Sequence, residues 1–410
     1  MQNEQLIKML NASNGVVRTW ALKELKRREI MDSSLRPLAS ANEINLNVHT
    51  DFSFSPYSPS MAVYMAYKSG IKLACACNYG TLAGTKEFIK GCEYMGISAL
   101  TGFEVTLQSK ALGEHIAAFY CVGEADKNNA FGPLLEQFRK ICIERVKLVC
   151  DKINSMLEKH GLYVDFNKEI LPLTKCNKGG NVTLKHLYMA VGKKIIQKFG
   201  QGKAAADFIR SSLCCDIEEG EYNLLCDYND PFYEYDLISA LRNNFSNLDS
   251  GILPPDLKDY VALCKNRAVI IAYQYDCQSN WIKNLAESDK LVSDFKALLN
   301  KIQKEGFNAV CISAKNLSSN LLCRIVDIIK EKNMIAIFTE KTEYPRNHFE
   351  CAVPKNAKPY IQACAYAILG NDICHKNDSS DGLFAEKGSI KSKDFNERLM
   401  IYSNIGKKRL

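Results

Sequence analysis

Three short apolar runs in this 410-residue chain end in side chains capable of chemistry. The run EINLNVHT closes on His49, and because side chains alternate along a strand, Asn47 and His49 face one way and Val48 the other. Two polar groups on one face at a strand's C-terminal end stand where α/β folds build sites. His49 is therefore either a ligand or a hydrogen-bonded structural residue. The run KLACACN leads to Asn78, Tyr79 and Gly80, and TLAG then opens a helix. The run ISALTGFEVTL carries Glu104 amid apolar neighbours. A buried carboxylate left alone is costly, so Glu104 requires a cation, a proton or hydrogen-bond donors; a plain salt bridge or cap would serve it equally. His115 lies further along, at the start of HIAAFYC, and His186 sits in the helical stretch GGNVTLKHLYMAVGKK. Arg346, in YPRNHF, is either an anion-binding group or an ordinary surface arginine. His160, His348 and His375 fall in surroundings that read as solvated.

Elements must position these groups. Residues 1–42 read as a charged amphipathic helical arm through IKML and WALKELKRREI, with a linker containing Pro37 and Ser40. From residue 43 strands alternate with helices. EINLNVHT, KLACACN, ISALTGFEVTL and HIAAFYCVG are short, apolar and partly β-branched, while SPSMAVYMAYKSG and TLAGTKEFIKGCEYMG are helix-periodic and closed by glycine. Residues of about 131–266 are mostly helical. Alternation resumes with AVIIAYQY, a helix near 289–304, FNAVCISA, a helix near 317–332 and MIAIFTEK. A β/α pattern interrupted by a helical insertion predicts an α/β protein with a parallel barrel or open sheet. Residues 356–410 read as a helical C-terminal extension.

Composition narrows the class. Hydrophobic residues at 47% and charged residues at 24% exclude intrinsic disorder. The net charge of +7 is spread along the chain, and a short cluster such as Lys407, Lys408 and Arg409 is not the basic stripe that nucleic acid requires. No apolar run approaches the ~18 residues of a membrane span, and MQNEQLIKML is too polar for a signal peptide. Seventeen cysteines, with no CxxC pair, argue against a four-thiolate zinc site and for buried, reduced thiols in a cytoplasmic protein. No P-loop, GxSxG or HExxH motif offers another chemistry.

The segment from NVHTDFSFSPYSP through LTGFEV resembles the opening of the PHP (polymerase and histidinol phosphatase) superfamily. That superfamily begins with His-x-His on a first strand, has Asp-His at the end of a second, and Gly-x-Glu on a third. The likeness extends over about residues 43–355, and the middle segment with His186 resembles a longer bacterial PHP-containing family. It implies a distorted, TIM-like (β/α)7 barrel that holds two or three metal ions and hydrolyses phosphoesters. On this resemblance His49, Glu104, His186 and, by looser alignment, His115 fall on metal positions. Departures stand at Asn47 for the first histidine, at Asn78 and Tyr79 for Asp-His, and at Lys341 for an acidic site on the last strand.

Each departure disfavours metal. Clustered divalent ions need several deprotonated ligands, whereas Asn47 offers a neutral amide, Tyr79 a phenol with an ordinary pKa of about 10, and Lys341 a positive charge. A Glu104–Lys341 attraction across the barrel mouth would replace the lost counter-charge. The expectation is a barrel with an eroded site, acting as a binding or regulatory module for a phosphorylated small molecule or a protein. Its cofactor would be one divalent ion (zinc, manganese or iron) or none. The alternatives are a metal-dependent phosphoesterase, a hydrolase working with a reduced metal set, and an interaction subunit that uses its helices.

Overall fold

The computed structural model describes residues 2–37, 43–123, 129–245, 247–248, 250–264, 268–275, 285–313, 318–351 and 353–410. The expected linker residue Ser40 lies outside them. Seven strands form one sheet in chain order: β1 (Glu43–Val48), β2 (Ile71–Tyr79), β3 (Ser98–Ser109), β4 (Gly113–Cys121), β5 (Ile270–Tyr275), β6 (Ala309–Ile312) and β7 (Ile335–Phe338). The sheet curls until its ends meet. The His49 amide donates to Thr342 Oγ1 at 2.9 Å, and Asn45 Nδ2 donates to the Glu340 and Phe349 carbonyls at 2.8 and 3.0 Å. The result is a nearly closed α/β barrel.

The parallel expectation needs one correction. β1–β2–β3 and β5–β6–β7 pair in parallel, but β4 runs antiparallel to both neighbours. Only residues 110–112 separate β3 from β4, too few for a crossover, and Gly113 takes φ +113° to make the turn.

Helices α1 (Asn3–Met9) and α2 (Gly15–Arg28) pack against the barrel. Leu6, Leu10, Leu22 and Leu25 join the buried cluster of Val63, Phe88 and Cys92 from α3 (Pro59–Lys68) and α4 (Thr85–Met95). Arg18 Nε donates to Glu87 at 2.8 Å and fixes α2 on α4. α3 starts where Ser58 Oγ caps the Met61 amide ahead of Pro59 at the first turn, and α4 ends at Gly96 in the left-handed region.

Between β4 and β5 lie α5 (Gly132–Leu157), α6 (Leu184–Phe199), α7 (Lys203–Asp207), α8 (Glu219–Cys226), α9 (Tyr233–Phe245) and α10 (Leu257–Cys264). This insertion covers the barrel mouth. Phe138 of α5 sits edge-on to Tyr79, with ring centroids 5.2 Å apart, and the Tyr260 hydroxyl donates to the Leu134 carbonyl. α11 (Leu285–Lys304) and α12 (Ser319–Glu331) connect the last strands, followed by α13 (Lys358–Asn377), α14 (Glu386–Lys391) and α15 (Phe395–Lys407). α13 and α15 cross closely enough that a Cβ on Gly370 would lie 1.9 Å from the Tyr402 carbonyl oxygen, so glycine is required there.

No described helix is long and apolar enough to cross a membrane. Every described cysteine is unpaired; Cys75, Cys77 and Cys311 are buried, and burial pushes the Cys311 thiol up to about 12.

Candidate functional site

Glu104 is the hub of the barrel mouth. It is buried on β3, and its carboxylate is met from three other places in the sheet. Asn47 Nδ2 of β1 donates to Oε1 at 2.6 Å, and the Gln274 side-chain amide of β5 donates to the same oxygen. Lys341 Nζ, beyond β7, donates to Oε2 at 2.9 Å and lies 3.4 Å from Gln274 Oε1. His49 Nε2 stands 3.5 Å from Oε2. Burial raises the Glu104 pKa, but Lys341, His49 and the hydrogen bonds outweigh it and hold the carboxyl well below its ordinary range. Burial likewise lowers Lys341, yet Glu104 and Glu343 more than offset this and its pKa rises, so the pair is ionised.

The alternation read for Asn47 and His49 is therefore realised, since both meet Glu104. Hydrogen-bond logic fixes one proton on His49. Asn78 Oδ1 accepts from the Thr50 amide (2.8 Å), from Thr50 Oγ1 (3.0 Å) and from Ser53 Oγ (3.2 Å). With its hydrogen spent on Asn78, Ser53 Oγ can only accept from His49 Nδ1, 3.3 Å away. Asn78 thus braces the loop behind His49 and does not reach Glu104. Tyr79 turns into the mouth and shares a 3.0 Å hydrogen bond with Thr106 Oγ1; burial raises its phenol, which stays protonated.

Three expected positions need correction. His115 is exposed near the β3–β4 turn, four residues from Phe119, which pairs with Glu104; at ~3.3 Å per residue that is about 13 Å away. His186, on the first turn of α6, points Nδ1 at the Thr183 amide at 3.1 Å. Burial, then the Lys185 charge, lowers its pKa to about 3, so the ring is neutral, its proton is on Nε2 and its lone pair is committed to Thr183. Arg346 is not a free anion site, because Nε and Nη2 hold Asp236 at 3.0 and 2.8 Å and Nη2 also pairs with Asp230.

Clustered divalent metals do not fit these residues. Glu104 is the one carboxylate at the hub, and three donors already hold it, one of them an ammonium at 2.9 Å. His186 has no lone pair to give. Among the described residues no group of three or more His, Cys, Asp or Glu side chains could hold an ion. Two buried atoms beside Glu104, Asn47 Oδ1 and His49 Nε2, have no hydrogen-bond partner.

Between mouth and insertion lies a cavity of about 300 Å³. Sequence reading missed most of its walls. Arg145 comes from α5, Lys185 and Tyr188 from α6, Arg242 from α9, Gln274 from β5, and Glu343 from the segment after β7. Glu343 pairs with Lys185; burial raises its pKa, but Lys185, His49 and Lys341 outweigh this and bring it down to about 2. Arg145 and Arg242 form no ion pair among the described residues, and Arg145 Nε is buried without a hydrogen bond. Their positions on an insertion helix gave no periodic or motif signal. Gln274 was missed too, although as the polar residue on an otherwise apolar strand it did leave a signal.

No family model matches the chain. A 5'-3' exoribonuclease of Haemophilus influenzae is 26% identical over a 170-residue alignment that covers 39% of this chain and 58% of that protein. The chain therefore spans little more than half of that relative's length. Among solved structures, a "putative metal-dependent phosphoesterase" from Bifidobacterium adolescentis superposes with a TM-score of 0.50 at 12% identity, covering 79% of this chain and 97% of that one. An amidohydrolase from Chromobacterium violaceum, solved with sulfate and no metal, gives 0.51 at 12% identity over 77% of this chain and 93% of its own. The barrel is thus similar to TIM-like phosphoesterase and amidohydrolase folds.

Proposed function

We propose that this chain is a divergent PHP-type barrel whose hydrolytic site is eroded and whose cavity binds a phosphorylated small molecule, as a binding or regulatory module. The observation that carries this reading is the charge of the cavity. Arg145, Lys185, Arg242 and Lys341 face it against two carboxylates, and each carboxylate is already paired with a lysine. Two guanidinium groups remain uncompensated, and their forked donors match a phosphomonoester dianion. Phe54, Val146 and Tyr188 give the apolar walls that suit the organic part of such a ligand. The sulfate in the amidohydrolase and the phosphodiester substrate of an exoribonuclease agree with an anionic ligand.

Hydrolysis is disfavoured by the same contacts. A general base must be free to accept a proton from water, whereas Glu104 is ionised and held by Lys341, Asn47 and Gln274. A phosphoesterase with a reduced metal set remains the second reading, because Asn47 Oδ1 and His49 Nε2 lie unpaired beside Glu104.

Calorimetric titration with inorganic phosphate, adenosine 5'-monophosphate and ribose 5-phosphate, in chelator and in manganese, tests both readings. At least one phosphomonoester should bind with the same affinity in either buffer and release no phosphate. Arg145→Gln and Arg242→Gln should each weaken binding ~10–100-fold, the worth of a charge-assisted hydrogen bond. Absence of binding to all three overturns the proposal. So does manganese-dependent turnover of ~1–1000 per second that Glu104→Gln abolishes.

A further inference from the structure

We propose that the Lys341 ammonium is a tethered stand-in for a metal ion, supplying the positive charge that gathers the barrel mouth and making that mouth independent of divalent metal. The contacts come from alternating strands. Asn47 lies on β1, Glu104 on β3, Gln274 on β5 and Lys341 just past β7, and all four meet at one carboxylate. Alternate strands contribute one interior layer of a closed barrel, and here that layer is polar. One ammonium balances one carboxylate, whereas a divalent ion at the same place would leave a charge unmet.

The cation is also held in position through its backbone. The Glu340 carbonyl before it accepts from Asn45 Nδ2 at 2.8 Å, and Thr342 Oγ1 after it accepts from the His49 amide at 2.9 Å. Asn45 is on β1 and His49 directly follows it, two strands from β3, which carries Glu104. The Lys341 side chain is 43% exposed while the Glu104 side chain it rests on is 4% exposed, so an incoming ion meets the lysine before it meets Glu104. The unpaired Asn47 Oδ1 and His49 Nε2 flank the same carboxylate and mark where an ion's further ligands would have stood.

The inference rests on contacts within the barrel and not on the cavity's ligand, so a protein that binds no phosphomonoester leaves it standing. The test is thermal unfolding of the full chain and of Lys341→Met, Glu104→Gln and the double variant, each in EDTA, MnCl2 or ZnCl2. The parent should keep one Tm, within ~1 °C, in all three. Each single variant should lose several degrees, and the double variant should lose less than the sum, because the second change removes the charge that the first left alone. Additive losses overturn the proposal. A parent Tm that falls in EDTA or climbs several degrees with manganese or zinc does so too. Should Lys341→Met not fold, the metal response of the parent and of the isosteric Glu104→Gln variant decides the question.

Discussion

Arg346 grips Asp236 through two nitrogens, Nε to Oδ1 at 3.0 Å and Nη2 to Oδ2 at 2.8 Å, and so ties the segment behind the last strand to α9 of the insertion. A lysine cannot reproduce a forked contact. Arg346→Lys and Arg346→Ala should therefore both loosen the insertion, by about 1 kcal/mol given the half-exposed side chain. Limited proteolysis should show faster cleavage within residues 200–250 and unchanged cleavage in α13–α15.

Protonation of His186 provides a second test. Its folded pKa of about 3 lies below the ordinary 6.5, so between those values the unfolded chain binds a proton that the folded one does not. Stability from this group is fully present above pH 6.5 and falls as pH drops, at about 1.4 kcal/mol per pH unit. His186→Gln, which keeps an acceptor for the Thr183 amide, should flatten the dependence between pH 6.5 and 5. Urea unfolding at four pH values measures it.

Glu343 gives the acid limb. Its pKa of about 2 against an ordinary 4.5 places its contribution above pH 4.5, to be lost as pH falls towards 2. The sum is on the order of 3 kcal/mol at most. Glu343→Gln should reduce stability at pH 7, leave Lys185 without its partner, and make unfolding between pH 4.5 and 2 less steep.

Asn78 tests the brace behind His49. Three donors converge on its Oδ1, so Asn78→Ala leaves the Thr50 amide unsatisfied in a buried place and should cost ~2–3 kcal/mol. Asn78→Asp keeps the acceptor and should stay within ~1 kcal/mol of the parent. Equal losses in the two variants, by chemical denaturation, would contradict this role.

Seven strands were legible from apolar runs bounded by polar turns, because burial in a barrel imposes the pattern locally. The direction of β4 was not, since strand direction depends on the three-residue link to β3, which carries no hydrophobic signal. At the site, residues on one strand were easy to relate: Asn47 and His49 share a face by alternation, and Glu104 demanded donors by its burial. Lys341 was reached only through family resemblance, and its 2.9 Å contact with Glu104 agrees with the attraction expected there. His186 misled because family resemblance places an imidazole without saying which lone pair a neighbouring backbone amide takes. Arg145, Lys185 and Arg242 escaped notice because a cavity assembled from distant helices leaves no spacing to read.

The clamp between His49 and Thr342 joins residues 293 apart in the chain, and with Lys341 and Arg346 beside it this clamp has a temporal consequence during synthesis. A ribosome that has released residues up to about 330 has made β1 to β6 and the insertion, but not the segment that neutralises Glu104 or anchors α9. At ~5–20 residues per second the stretch from residue 330 to Arg346 takes about 1–3 s, during which the nascent chain has a buried carboxylate lacking its cation and an open seam beside β1. The last barrel strand thus acts as the closing step of biogenesis, and the open seam is where a chaperone would be needed longest.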